Sequence, residues 1–134
     1  MKKFTLSVIL GFIVNNVVAT LVALFVLNPL LNPMFKGTLR TAEDGLEMPS
    51  LLSGYFMLTV LMVIGYKYFA LDARWIKKGI GWGLLIGGAT FLAGHLIIAG
   101  WAAIPPKPMF ISGILDILAT VATGITIAYI YRNE

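Results

Sequence analysis

Four apolar runs, about Phe4 to Leu27, Leu51 to Leu71, Gly79 to Trp101 and Met109 to Tyr131, dominate this chain of 134 residues. Each is long enough to cross the ~30 Å hydrocarbon core of a bilayer as a helix. In lipid the backbone must satisfy its own hydrogen bonds, and four strands cannot close a barrel, so all four runs are expected to be helical. Charged residues make up only 12% of the sequence, against about 25% in soluble domains. The expectation is an all-α, four-transmembrane-helix bundle forming one membrane domain over residues 1–134, with the lipid bilayer as its first partner. Met1-Lys2-Lys3 and the apolar residues after it begin like a signal peptide. The run then outlasts a usual h-region without a small-x-small cleavage site, so an uncleaved first span is expected.

Orientation follows from the cations. Lys2, Lys3, Lys67, Arg74, Lys77, Lys78 and Arg132 fall on one side of the spans, and Lys36, Arg40 and Lys107 on the other. The positive-inside rule then places both termini in the cytoplasm, and the bias argues against dual topology. Trp75, Trp82, Tyr66, Tyr68, Tyr129 and Tyr131 would mark the inner interface and Trp101 the outer one. The net charge of +4 is thereby explained by topology, and no nucleic-acid partner is expected. Cysteine is absent, which removes disulfides and thiolate chemistry. The loop from Asn28 to Ser50, interrupted by Pro29, Pro33, Gly37, Gly45 and Pro49, is expected to be irregular, with Leu30, Leu31, Met34 and Phe35 against the membrane surface. Glu43, Asp44 and Glu47 form an acidic cluster there whose spacing matches no calcium loop.

An internal repeat is visible. Lys2-Lys3 and Pro33-Met34-Phe35 recur as Lys77-Lys78 and Pro108-Met109-Phe110 at an offset of 75 residues, and Ser53-Gly54 and Gly65 match Ser112-Gly113 and Gly124 at an offset of 59. Two parallel-repeat helical hairpins, about 2–69 and 77–131, are the expectation. In that register Thr20 aligns with His95 and Met57 with Asp116, so the ionisable groups belong to the second hairpin alone.

The Asn28-Pro29 after span one, the Gly-rich third span and the aspartate in the fourth give the chain a layout that resembles small bacterial four-helix membrane proteins of the domain-of-unknown-function kind. The resemblance implies an integral protein of the bacterial inner membrane. It is one of layout and brings no site residues with it.

The residues themselves propose a site. Asp116 is isolated inside an apolar run, where a lone charge costs roughly 2.5 to 3.5 kcal/mol at the bilayer centre. His95, the one histidine, lies six residues before Trp101, and Asp116 lies six after Phe110. Helical rise puts both ~9 Å below the same boundary, so they are expected to pair. Ser112, Asp116, Ala119, Thr123 and Thr126 follow a spacing that makes one small, polar stripe, widened by Thr120 and Gly124. Ser7, Gly11, Asn15, Ala19 and Ala23 make a similar stripe on span one, with Asn16 and Thr20 beside it. Binding or proton-relay candidates are therefore His95, Asp116, Asn15, Asn16, Thr20, Ser112 and Thr120. Gly79, Gly83, Gly87, Gly88 and Gly94 are helix-packing candidates, because consecutive G-x-x-x-G steps let backbones approach closely. Their partner is a helix of this chain, another copy in a dimer, or a separate membrane subunit.

Two readings follow from these residues. In one, the polar faces line a path or pocket for a small solute or proton in a transporter or channel-like module. In the other, the chain is a non-catalytic subunit or scaffold whose glycine face docks a partner. Ser112, His95 and Asp116 are also the residue types of a hydrolytic triad, which would need the histidine between serine and aspartate. One histidine and one intramembrane aspartate fall short of the three protein ligands of catalytic zinc, and a lone histidine offers haem a single axial ligand, so no cofactor or metal is expected.

Overall fold

The computed structural model describes residues 1–35, 45, 47–69, 71 and 73–133. Lys36, Gly37, Arg40, Glu43 and Asp44 lie outside the described residues. The elements are helices α1 (Lys2–Val22), α2 (Asn28–Phe35), α3 (Met48–Tyr66), α4 (Trp75–Gly87), α5 (Ala93–Trp101) and α6 (Pro106–Tyr131). A π-helical turn, Ala23–Leu27, joins α1 to α2, and another, Gly88–Leu92, joins α4 to α5. The result is four continuous rods, Lys2–Leu31, Met48–Tyr66, Trp75–Trp101 and Pro106–Tyr131, each long and apolar enough to cross a membrane. Among the described residues there is no strand.

The tightest contact is between α4 and α6, which run antiparallel. A Cβ at Gly79 would fall 2.8 Å from the Gly124 carbonyl oxygen, one at Gly83 the same distance from the Val121 nitrogen, and one at Gly87 3.1 Å from the Ile117 Cα. These are backbone atoms that cannot rotate away, so three glycines at four-residue spacing are what bring the two helices together. Gly124 answers from α6, where a Cβ would meet the Gly83 nitrogen at 3.0 Å. The glycine face is thus used inside the chain. Gly88 and Gly94 have no atom within 4 Å of an added Cβ and take no part in it.

Around this pair, α1 packs on both α6 and α3 through one small-residue face. Gly11 admits the Thr59 and Thr123 methyl groups, and Ser7, Gly11, Asn15 and Ala19 are buried as the stripe predicts. Val8, Met62, Val63, Tyr66, Trp82, Ile127, Ala128 and Tyr131 close the half of the bundle nearest the two chain ends. There the Trp82 indole N–H donates to the Met62 carbonyl at 3.0 Å, and its ring fills the space beside Gly65, tying α3 to α4.

The segment after span one departs from the expected irregular loop. Helix continues through Pro29 and Pro33 to Phe35. Proline lacks an N–H and crowds the carbonyl four residues earlier, and the π turn just before Pro29 widens the backbone there, with the Asn28 N–H reaching back to the Ala23 carbonyl. The extra residue in the turn rotates everything after it by about 100°. Leu31 and Phe35 are therefore buried against Met109, while Leu30 and Met34 are exposed. The two π turns do not align in the 75-residue register of the repeat.

Replacing Gly83 by alanine is expected to destabilise the bundle by about 1–3 kcal/mol, because only backbone can give way. Gly88→Ala should change stability by less than about 0.5 kcal/mol. Denaturant unfolding in mixed micelles, followed by circular dichroism, distinguishes the two.

Candidate functional site

His95 and Asp116 meet. The His95 Nε2 lies 3.5 Å from Asp116 Oδ2, with 23% and 17% of the two side chains exposed. Ser112, one turn earlier on α6, donates its hydroxyl to the same carboxylate oxygen at 3.3 Å. On the other side of the imidazole, Nδ1 is 2.6 Å from the Phe91 carbonyl. A carbonyl only accepts, so Nδ1 carries a proton and the tautomer is assigned by this bond. A second proton, when the pair holds one, lies between Nε2 and the carboxyl. It resides either on the histidine, giving imidazolium and carboxylate, or on the aspartic acid, which then donates to the ring. Either arrangement leaves the pair without net charge, which is how an ionisable residue is tolerated at this depth.

The π turn is what aims the histidine. In an uninterrupted α-helix Gly94, seven residues after Gly87, would share its face to within about 20°, and His95 would point about 80° away. One extra residue accommodated in Gly88–Leu92 rotates His95 into that place and Gly94 out of it. This agrees with the open space at Gly94 and the contact at His95. Thr90 inside the turn donates its hydroxyl to the Ile86 carbonyl at 2.8 Å, satisfying an acceptor near the altered ladder. Helix α6 closes on the turn at Gly113, where a Cβ would stand 2.9 Å from the Leu92 Cα and 3.3 Å from the Phe91 oxygen. Gly113 and the Phe91 carbonyl thus set the imidazole relative to Asp116. In the sequence Gly113 stands out only as part of the repeat, and no pattern singles out Phe91.

A cavity of about 310 Å³ opens beside the pair, lined by His95 and Ser112 together with Ala23, Leu27, Asn28 and Met109. Its walls are mostly apolar and its polar groups few, the usual make-up of a small-molecule pocket. The first π turn contributes Ala23 and Leu27 to it, and the helix that follows the second π turn contributes His95 and Ile98.

The other candidates are spread along the bundle. Asn15 is fully buried, and its amide makes no hydrogen bond to a described residue. Asn16 donates to the Phe12 carbonyl of its own helix at 2.8 Å. Thr120 is fully buried, donates to the Ile117 carbonyl, and sits under Gly87. Thr20 is exposed on the outside of α1. The structure therefore brings together His95, Asp116 and Ser112, while Asn15, Asn16, Thr20 and Thr120 do not border the cavity.

Chemically the three convergent groups differ from a hydrolytic triad. Asp116, not the histidine, stands in the centre, and the imidazole nitrogen that would orient on the acid is occupied by Phe91. Among the described residues no three His, Cys, Asp or Glu side chains cluster as a metal site would require. In comparisons with known proteins, no family model, curated protein or solved structure matches this chain.

The single histidine makes the tautomer measurable without assignment. In ¹⁵N-histidine-labelled protein, Nδ1 is expected to be protonated in both the wild type and Asp116→Asn, while the Nε2 resonance moves between them. A bare Nδ1 in the wild type would contradict the geometry. Gly113→Val is expected to move the Nδ1 resonance as well as that of Nε2 with Asp116 still present, because it displaces the turn that carries Phe91.

Proposed function

We propose that the protein is a small membrane transport module that takes up a small solute or a proton at the end carrying Lys107, with His95 and Asp116 as the proton-holding pair and Ser112 as a ligand of the carboxyl group. One observation carries this: His95, in contact with Asp116, and Ser112, which donates to the same carboxylate, both line a cavity of the bundle. A purely structural pair has no need of a cavity. Intramembrane ionisable residues that border one are proton or solute sites by default. The opposite half of the bundle is packed shut by Met62, Val63, Trp82 and Ile127, which favours a carrier that must rearrange over a permanently open pore. With the cationic end in the cytoplasm, the cavity faces outward.

A partner-docking subunit draws less support. Its chief feature was the glycine face of the third span, and Gly79, Gly83 and Gly87 meet α6 of the same chain. Association with a second copy or another membrane protein would have to use other surfaces.

The test is proton movement. Reconstituted into liposomes with an entrapped pH-sensitive dye, the wild type should dissipate an imposed pH gradient faster than empty liposomes. Asp116→Asn, folded by circular dichroism, should lose this by roughly a hundredfold, the scale of removing a positioned proton carrier. A wild type no faster than empty liposomes under any imposed gradient would overturn the reading, as would full activity in Asp116→Asn.

A further inference from the structure

At the end of the bundle remote from His95, cations converge on a cavity instead of merely ringing the surface. Lys67 from the end of α3, Lys78 from the first turn of α4 and Arg132 from the end of α6 line a space of about 420 Å³ whose aromatic walls are Tyr66, Trp75 and Tyr131. Lys67 and Tyr131 also form the wall of an adjoining cavity of about 380 Å³, whose far side is Lys2, Lys3 and the chain start. The floor is rigid. Tyr66 and Tyr131 are both under one-tenth exposed, and their rings lie 5.9 Å apart. Lys78 Nζ stands 5.1 Å above the Tyr66 ring, and the Arg132 guanidinium 3.9 Å from the Tyr129 ring, so a ring face lies against each of these head groups. Among the described residues no acidic side chain lines either cavity. Asp72 and Glu134 lie outside the described residues.

Topology alone asks for Lys and Arg at this end but not for their convergence from three helices onto one aromatic-floored space. We propose that this is a binding site for a phosphoryl group, and that its source is the head group of an anionic phospholipid. Lys67, Lys78 and Arg132 supply the charge, and the Tyr and Trp edges supply hydroxyl and N–H donors and apolar contact for the glycerol backbone. The level of the site fits a lipid. Trp75 and Tyr129 pack edge to face at 5.6 Å beside it, and such rings mark the height of the head groups. The space is roomier than inorganic phosphate requires.

Native mass spectrometry of the full chain, released from micelles containing equal amounts of phosphatidylglycerol and phosphatidylcholine, tests this. Phosphatidylglycerol should be retained about tenfold over phosphatidylcholine, and Lys67→Gln/Arg132→Gln should lose most of that preference. Arg74→Gln/Lys77→Gln removes the same charge from the same end without touching either cavity and should keep it, as should Lys67→Arg/Arg132→Lys. Inorganic phosphate that displaces the lipid, at an ionic strength where chloride does not, would support the phosphoryl site but assign it to a soluble phosphate. A wild-type ratio near one overturns the proposal whatever the variants do. Equal losses in the two glutamine pairs also overturn it, since they would show only general attraction to negative surface.

Discussion

Everything in this bundle is built on the backbone contact between α4 and α6. Between helices in lipid there is no hydrophobic gain from association, so what holds them is dispersion at close range, and close range needs the absence of side chains. Gly79, Gly83, Gly87 and Gly124 provide that absence on both sides. The contact fixes the antiparallel register, and the register decides which residues of α6 lie opposite the second π turn. Gly113 extends the close approach past the glycine repeat to Leu92, which delivers Asp116 to the height of His95. The pairing is a consequence of packing that occurs one to three turns away from it.

The two π turns convert this packing into a site. Each adds one residue to its rod and so exchanges the face that follows: His95 for Gly94 on the third rod, Leu31 for Leu30 on the first. Without the second turn the imidazole would point toward lipid or toward the groove between α3 and the third rod, and Asp116 would have only the Ser112 hydroxyl within the described residues. Wide turns are less stable than α-helix and persist where tertiary contacts hold them. Here Gly113 against Leu92 is that contact for the second turn, and Leu31 and Phe35 against Met109 serve the first.

The division between what the residues disclose and what they conceal follows the same line. Hydropathy located four rods, because span length and composition are imposed by the bilayer and owe nothing to a partner. Depth counting matched His95 to Asp116, because 1.5 Å per residue holds whether or not a turn is widened. Face counting failed beyond Gly87 and beyond Val22, since a π turn changes the hydrogen-bond ladder without requiring any particular side chain. Gly88 and Gly94 therefore do not share the packing face that an unbroken α register gives them, and the helix runs to Phe35 through two prolines that ordinarily break one. The glycine repeat disclosed that a helix would come close, but not which helix. The small-residue stripe of α1 was legible as far as Ala19 for the same reason that the glycines were, an unbroken α register.

The ends of the bundle also differ in a way that bears on how it can work. At one end four rods are tied by Trp82 to Met62, by the tyrosine pair and by a dense core, and the cations stand on aromatic rings at the rim. At the other, a groove of about 470 Å³ lies between α3 and the third rod, lined by Tyr55, Leu58, Thr90 and Phe91. The Phe91 residue thus has its side chain in the groove and its carbonyl on the imidazole. The groove beside α3 and the bond that fixes the His95 tautomer therefore share one residue.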